Sequence, residues 1–181
     1  MSSATGRAAR DAGLSFEAWV NEQHARAGQR GALVHVWHNQ AVTEVVHGRV
    51  IYKGSGVADY TGILFGGMYL AAEAKSTDKE RLPRNVITPL QQAHLTAVTS
   101  AGGLAFLLVE FRDDAERVRY AIPWHQVPWK TLRTAETLDP MDIPDVFRVT
   151  NDDYLAMYHK GSDNRFIIGA ATERKRVHPR E

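Results

Sequence analysis

Apolar residues recur along the chain in two different periods. In residues 15–27, Phe16, Trp19 and Val20 fall at the three- and four-residue spacing of one helical stripe, with Ser15 as a starting cap and Gly28 as a stop. Residues 32–37 and 42–52 are instead rich in β-branched and aromatic side chains. His47-Gly48 interrupts the second run where a tight turn fits, which predicts a strand and then a hairpin or short protruding β-arm. Residues 59–65 and 68–75 read as two apolar strands joined at Gly66-Gly67, a pair that tolerates positive φ. Polar residues 76–85 read as a loop. Thr88 then caps a second helix, with Pro89 at its first position, Gln91 three residues after the cap and Gly102-Gly103 as the stop. Strands over 104–111 and 119–124 follow, then a helix over 152–160 capped by Asn151 and ended by Gly161, and a short strand over 165–168. This order predicts one α/β domain over residues 13–171, with a mixed central sheet flanked by helices and the arm at residues 38–57. Residues 1–12 and the locally basic tail 172–181 are expected to be poorly ordered.

Composition narrows the chemistry. The 181 residues contain 22 Lys+Arg against 21 Asp+Glu, a formal net charge of +1, so any contact with nucleic acid must come from local clusters and not from the bulk field. No cysteine is present, which excludes disulfides, thiol nucleophiles, iron–sulfur clusters and thiolate zinc fingers. Any metal is held by oxygen or imidazole. No window approaches the roughly 20 apolar residues of a membrane span, and the first residues hold no apolar signal segment, so a cytoplasmic protein without a membrane partner is expected.

The informative stretch runs from Asp59 to Lys75. A hairpin turning at Gly66-Gly67 brings Asp59 level with Glu73 and Ala74, and alternation puts Glu73 and Lys75 on one face with Ala72 and Ala74 on the other. An Asp, a Glu and a Lys then converge. Carboxylate oxygens are the preferred ligands of Mg²⁺, which neutralises charge building on a phosphate, and a nearby ammonium assists the attacking water. That is the equipment of phosphodiester hydrolysis. An ideal two-residue turn would set Asp59 opposite Ala74, one residue off the required face; a bulge near Gly62 or a wider turn corrects it. On spacing alone, a solvated strand face remains the competing reading, weakened by the apolar run M-Y-L-A-A-E-A-K, which implies a central strand.

The segments D-Y-T-G-I, Y-L-A-A-E-A-K, L-Q-Q-A-H-L and G-L-A-F-L-L-V-E-F, in this order and preceded by L-S-F-E-A-W-V-N, resemble the RecU-type Holliday junction resolvases of the PD-(D/E)xK nuclease superfamily. The resemblance implies a restriction-endonuclease-like fold. It further implies Asp59 and Glu73 as metal ligands for Mg²⁺, with Mn²⁺ as a substitute, Lys75 as the catalytic lysine, and Glu17 completing the acidic site. Gln91 matches the family's helix glutamine. Glu17 is equally well explained as an acid favoured by a helix start, and Gln91 as the second half of a capping box, with a contact to the site in addition. His94 reads as a partly buried helix residue, and His35 and His38, three apart on a strand, fall on opposite faces. Arg49 and Lys53 in the arm, which looks shorter than the family's stalk, and Lys79, Arg81 and Arg84 after the E-A-K strand are the candidate phosphate contacts. The expected activity is a metal-dependent endonuclease that resolves four-way DNA junctions as a homodimer, since resolution needs two symmetric cuts. A restriction-like or repair nuclease and a non-cleaving recombination accessory protein are the alternatives. Residues 140–148 read as either a dimer arm or a plain loop.

Overall fold

A computed structural model of the chain describes residues 3–39, 43–46, 49–52, 57–113, 116–132, 135–150, 154–160 and 166–168, with 3–10, 43–46, 49–52, 157–160 and 166–168 described by backbone alone. In chain order the elements are α1 (Ser3–Gln29), β1 (Leu33–His38), β2 (Thr43–Val46), β3 (Arg49–Tyr52), β4 (Tyr60–Leu64), β5 (Tyr69–Thr77), β6 (Leu82–Pro83) and α2 (Pro89–Ser100). They continue with β7 (Leu104–Arg112), β8 (Arg117–Pro123), β9 (Lys130–Leu132), β10 (Ala135–Leu138), β11 (Tyr158–Lys160) and β12 (Phe166–Ile168).

Five strands form the central sheet in the order β1-β4-β5-β7-β8. Only β5 and β7 pair in parallel, and α2 is the crossover that such a pair requires. The architecture is therefore the expected mixed α/β sheet between helices. On one face α1 packs Phe16, Val20 and Ala27 against Tyr60, Leu70, Phe106 and Leu108. On the other, Leu95 and Val98 of α2 pack against Ala71, Leu107, Val109 and Ile122. Neither helix is buried all round, so each needs the sheet to cover its apolar stripe.

Several local expectations give way to longer-range pairing. α1 begins at Ser3, not Ser15, so residues 3–12 are helical where a poorly ordered terminus was expected; the run S-A-T-G-R-A-A-R-D-A is rich in strong helix formers. The helix expected over 152–160 is replaced by a short 3-10 turn, Tyr154–Met157, and the strand β11. Pairing of β11 with the β-branched strand β12 outweighs the local cap signal. The loop expected over 76–85 contains β6, which joins β10 and β9 in a small sheet. Residues 140–148 form two 3-10 turns, Pro140–Asp142 and Asp145–Phe147, whose neighbours Ile143 and Phe147 are buried in the second core. The arm expected after β1 is the β2–β3 hairpin, a separate two-stranded sheet whose register from Thr43↔Tyr52 to Val46↔Arg49 is the one a His47-Gly48 turn predicts. The tail 172–181 lies outside the described residues.

Gly62 is needed where β1 closes on β4: a Cβ added there would lie 2.6 Å from the His35 carbonyl oxygen. The irregularity in this pairing sits in β1, between Leu33 and His35, opposite Leu64 and Ile63 and not at Gly62, which pairs with Val36.

Candidate active site

The register of the β4–β5 hairpin decides whether the predicted residues meet. Its connection is wider than two residues: the Leu64 amide donates to the Met68 carbonyl at 2.8 Å, and Gly66 and Gly67 take φ of 89° and 84°. Tyr60 therefore pairs with Ala72 and Ile63 with Tyr69, and one step beyond Tyr60 sets Asp59 beside Glu73. The wider turn supplies the one-residue correction, and Asp59 and Glu73 share a face. The backbone fixes both: the Asp59 amide donates to Glu73 Oε2 at 3.3 Å, and the Ala74 amide donates to Asp59 Oδ2 at 2.9 Å. Lys75 Nζ reaches Asp59 Oδ2 at 3.4 Å and donates to Glu73 Oε1.

Gln91 joins this group from α2. It occupies the buried stripe of the helix one turn before Leu95, and its amide is oriented by the capping box, in which the Thr88 amide donates to Gln91 Oε1 at 2.8 Å and the Gln91 amide to Thr88 Oγ1 at 3.3 Å. Gln91 Nε2 is thereby aimed at Glu73 Oε1, 2.6 Å away. The cap and the site contact coexist in one residue.

Electrostatics follow from burial. Glu73 has no solvent exposure. Desolvation pushes its carboxyl up to about 7, with Asp59 adding to the rise and Lys75 opposing it. Burial alone would lower Lys75, but the two carboxylates outweigh it and hold the ammonium above its ordinary value. The site thus concentrates more negative charge than one lysine neutralises.

Glu17 stands apart from this group. Its Oε2 lies 3.9 Å from His38 Nε2, and its carbonyl accepts from the Tyr60 hydroxyl at 3.4 Å. The His38 ring stacks on Tyr60 with centroids 4.6 Å apart. Burial first, then Glu17 and Asp59, drive the Tyr60 hydroxyl upward. Glu17 therefore borders the cluster across Tyr60 without touching Asp59 or Glu73. Among the described residues, no three His, Asp or Glu side chains are grouped as a metal cage. Two carboxylates nonetheless suit Mg²⁺, which is usually held by one or two carboxylates and completes its shell with water and phosphate oxygens.

Of the candidate phosphate contacts, Arg81 pairs with Asp139 at 2.7 Å, and Arg84 pairs with Glu136 at 2.7 Å while lying over Trp129. Both charges are compensated. Lys79 is exposed. Arg49 lies on β3, where only the backbone is described, and Lys53 lies outside the described residues. His94 packs edge-on against Tyr69, away from Asp59 and Glu73, and His35 and His38 do fall on opposite faces, His35 against Trp37. The sequence reading missed Asn39, whose amide donates to the Asp59 carbonyl at 2.7 Å and whose Nδ2 donates to the Ala58 carbonyl at 3.0 Å, anchoring the end of β1 to the strand that bears Asp59. No periodic signal marks such a residue.

Comparison with known proteins places this geometry among relatives. The Holliday junction resolvase RecU of Shouchella clausii is 36% identical over 66 residues, which is 36% of this chain and 31% of that protein. RecU of Leuconostoc mesenteroides is 26% identical over 95 residues, 52% of this chain and 46% of that protein. The chain thus spans less than half the length of these curated relatives. Among solved structures, Hjc of Archaeoglobus fulgidus, a Holliday junction resolvase, aligns with a TM-score of 0.41 and 15% identity over 71% of this chain and 84% of that one. The family model described as Recombination protein U matches residues 33–137, more than half of the chain and all of β4, β5 and α2, and the chain belongs to that family.

Proposed function

We propose that this protein is a Mg²⁺-dependent endonuclease that resolves four-way DNA junctions, acting as a homodimer in the cytoplasm. The observation that carries the reading is the convergence of Asp59, Glu73, Lys75 and Gln91 at one end of the central sheet, in a chain of the Recombination protein U family. Asp59 and Glu73 are the residues that would hold the ion. When bound, Mg²⁺ polarises the scissile phosphate and lowers the pKa of a coordinated water. Asp59 is presented by the Ala74 amide, and Glu73 is held by Gln91 and Lys75, so both carboxylates are positioned before DNA arrives. Lys75, kept protonated by its two carboxylates, is placed to stabilise negative charge on the phosphate as the bond breaks. Glu17 and His38 border the cluster beside Tyr60. Two symmetric cuts require two such sites, which a two-fold dimer supplies.

The test is cleavage of a synthetic four-way junction in Mg²⁺, with linear duplex of the same sequence as competitor at raised salt. Paired nicks that vanish in Asp59→Asn and Glu73→Gln are expected. Equal cleavage by both variants and the wild type would reject the site, and equal cleavage of junction and duplex would favour a general nuclease. Junction binding without any product would leave an accessory role.

A further inference from the structure

The face of the sheet opposite Glu73 carries a second charged cluster at the same end of the strands. Ser76 follows Lys75 on β5, so its side chain turns to the α1 side. Register sets Ser76 level with Glu110 of β7, Glu110 opposite Arg119 of β8, and Arg112 opposite Arg117. Residues opposite one another across a strand pair share a face. Glu110 is fully buried and has three partners: Ser76 Oγ donates to Oε1 at 2.9 Å, Arg119 Nε donates to Oε2 at 2.9 Å, and Arg112 Nε lies 3.6 Å from Oε1. Arg112 Nε also donates to Ser76 Oγ at 2.9 Å. The Arg119 guanidinium stacks 4.6 Å over Trp19 of α1, and Arg117 Nη1 donates to Ser15 Oγ at 3.2 Å.

Two of these cations thus share one carboxylate, and Arg117 stands beside them with only the Ser15 hydroxyl as its partner among the described residues. Arg112 and Arg119 are each tied through Nε, the inner edge of the guanidinium, and the remaining N–H groups of the three forks have no hydrogen-bond partner among the described residues. Arg112 faces Arg117 directly, and like charges in that position destabilise a strand pair. A buried carboxylate accounts for Arg119 and Arg112 but not for the added cost of Arg117. An anion bridging Arg112 and Arg117 removes the repulsion and satisfies the free forks in the bidentate geometry that guanidinium offers to phosphate.

We infer that Arg112 and Arg119, oriented by Glu110 and Ser76, and Arg117, held by Ser15, form a cradle for one phosphodiester of the DNA backbone. It lies on the face of the sheet opposite Lys75 and grips a duplex arm beside the cut. This assignment rests on the nuclease reading above and adds to it a contact outside the cleavage site.

Arg117→Glu separates the cradle from a structural role, because the two predict opposite signs. A carboxylate opposite Arg112 relieves the like-charge pair, so thermal stability is maintained or raised. Phosphate affinity should nonetheless fall. Junction binding is measured by fluorescence anisotropy in EDTA across a salt series, where each neutralised phosphate contributes about 0.9 to the slope of log affinity against log salt. The slope of Arg117→Glu should be shallower than that of the wild type by about 1. Arg112→Gln/Arg117→Gln, which leaves Glu110 its bonds to Arg119 and Ser76, should show the same loss. A wild-type slope in both folded variants would overturn the cradle while leaving the nuclease reading intact. Absence of salt-dependent junction binding by the wild type would overturn both.

Discussion

Replacing Glu73 with Gln should make the metal-free protein more stable and inactive at once. Burial raises the carboxyl from 4.5 to about 7 in the folded state. Between those values the folded chain binds the proton more tightly than the unfolded chain, so stability falls as pH rises through this window and the full cost is present above it. At 1.36 kcal/mol per unit the cost reaches about 3 kcal/mol above pH 7. An amide carries no such cost, and it resembles the protonated acid: its oxygen accepts from Gln91 and Lys75, while its NH₂ takes the place of Oε2 and gives up the bond from the Asp59 backbone amide. The opposing pull of Lys75 is already contained in the rise to about 7, so Glu73→Gln should gain up to about 3 kcal/mol on the wild type between pH 4.5 and pH 8, and the lost bond from the Asp59 amide subtracts equally at both pH values. Urea unfolding in EDTA at the two pH values reads this difference directly. Added Mg²⁺ should stabilise the wild type at pH 8 and not the variant, and cleavage should fall by at least about 100-fold. A variant less stable than the wild type at pH 8, or a difference that does not change with pH, would refute the claim that Glu73 is an ionisable group held at a cost.

Lys75→Met removes the one cation bonded to Glu73 among the described residues and should destabilise the protein by about 2–4 kcal/mol at pH 8, less at pH 5 where Glu73 is protonated, as chemical denaturation can show. Thr88→Ala should cost about 1 kcal/mol through the lost cap and leave most junction cleavage in place. Gln91→Ala keeps the bond from its own amide to Thr88 but loses the side-chain half of the capping box and the donor to buried Glu73 together, so it should cost stability and also weaken Mg²⁺-dependent cleavage, which a side-by-side activity and melting series separates. Gly62→Ala drives a methyl to 2.6 Å from the His35 carbonyl oxygen and should cost about 1–3 kcal/mol, measured as a lower melting temperature with β1 amides exchanging faster.

What could be read from the sequence was what local chemistry decides. Thr88, Pro89 and Gln91 marked the start of α2 because a cap satisfies backbone donors within four residues. The alternation in Y-L-A-A-E-A-K placed Glu73 and Lys75 together because a strand has no other way to arrange them. The choice between Glu73 and Ala74 as the partner of Asp59 depended on the width of a glycine turn, which composition leaves open. The replacement of the last expected helix by β11 was decided by its pairing with β12, which a cap signal at Asn151 does not report, and the start of α1 by helix formers upstream of Ser15. Arg81 and Arg84 looked like free cations because their partners, Asp139 and Glu136, lie more than 50 positions away. Glu110 was hidden within the apolar run L-A-F-L-L-V-E-F, although E-x-R and R-x-R at period two do mark the positions that gather on the α1 side.

The hydrogen bonds around Glu73 also determine where its proton resides. Gln91 Oε1 accepts from the Thr88 amide, so Nε2 is the end that faces Glu73 and the amide can only donate there. Glu73 Oε1 already accepts from Nε2 and from Lys75, which leaves it no room to carry hydrogen. A proton on Glu73 therefore sits on Oε2, the oxygen that also accepts from the Asp59 backbone amide. A divalent cation held by Glu73 would have to expel that proton. Mg²⁺ affinity should accordingly rise about tenfold per pH unit below pH 7 and level off above it. In Asp59→Asn, where the neighbouring negative charge is gone, the pH at which metal-free stability stops falling should move lower, and urea unfolding in EDTA across pH 5.5–8.5 would refute the assignment if both proteins level at the same pH.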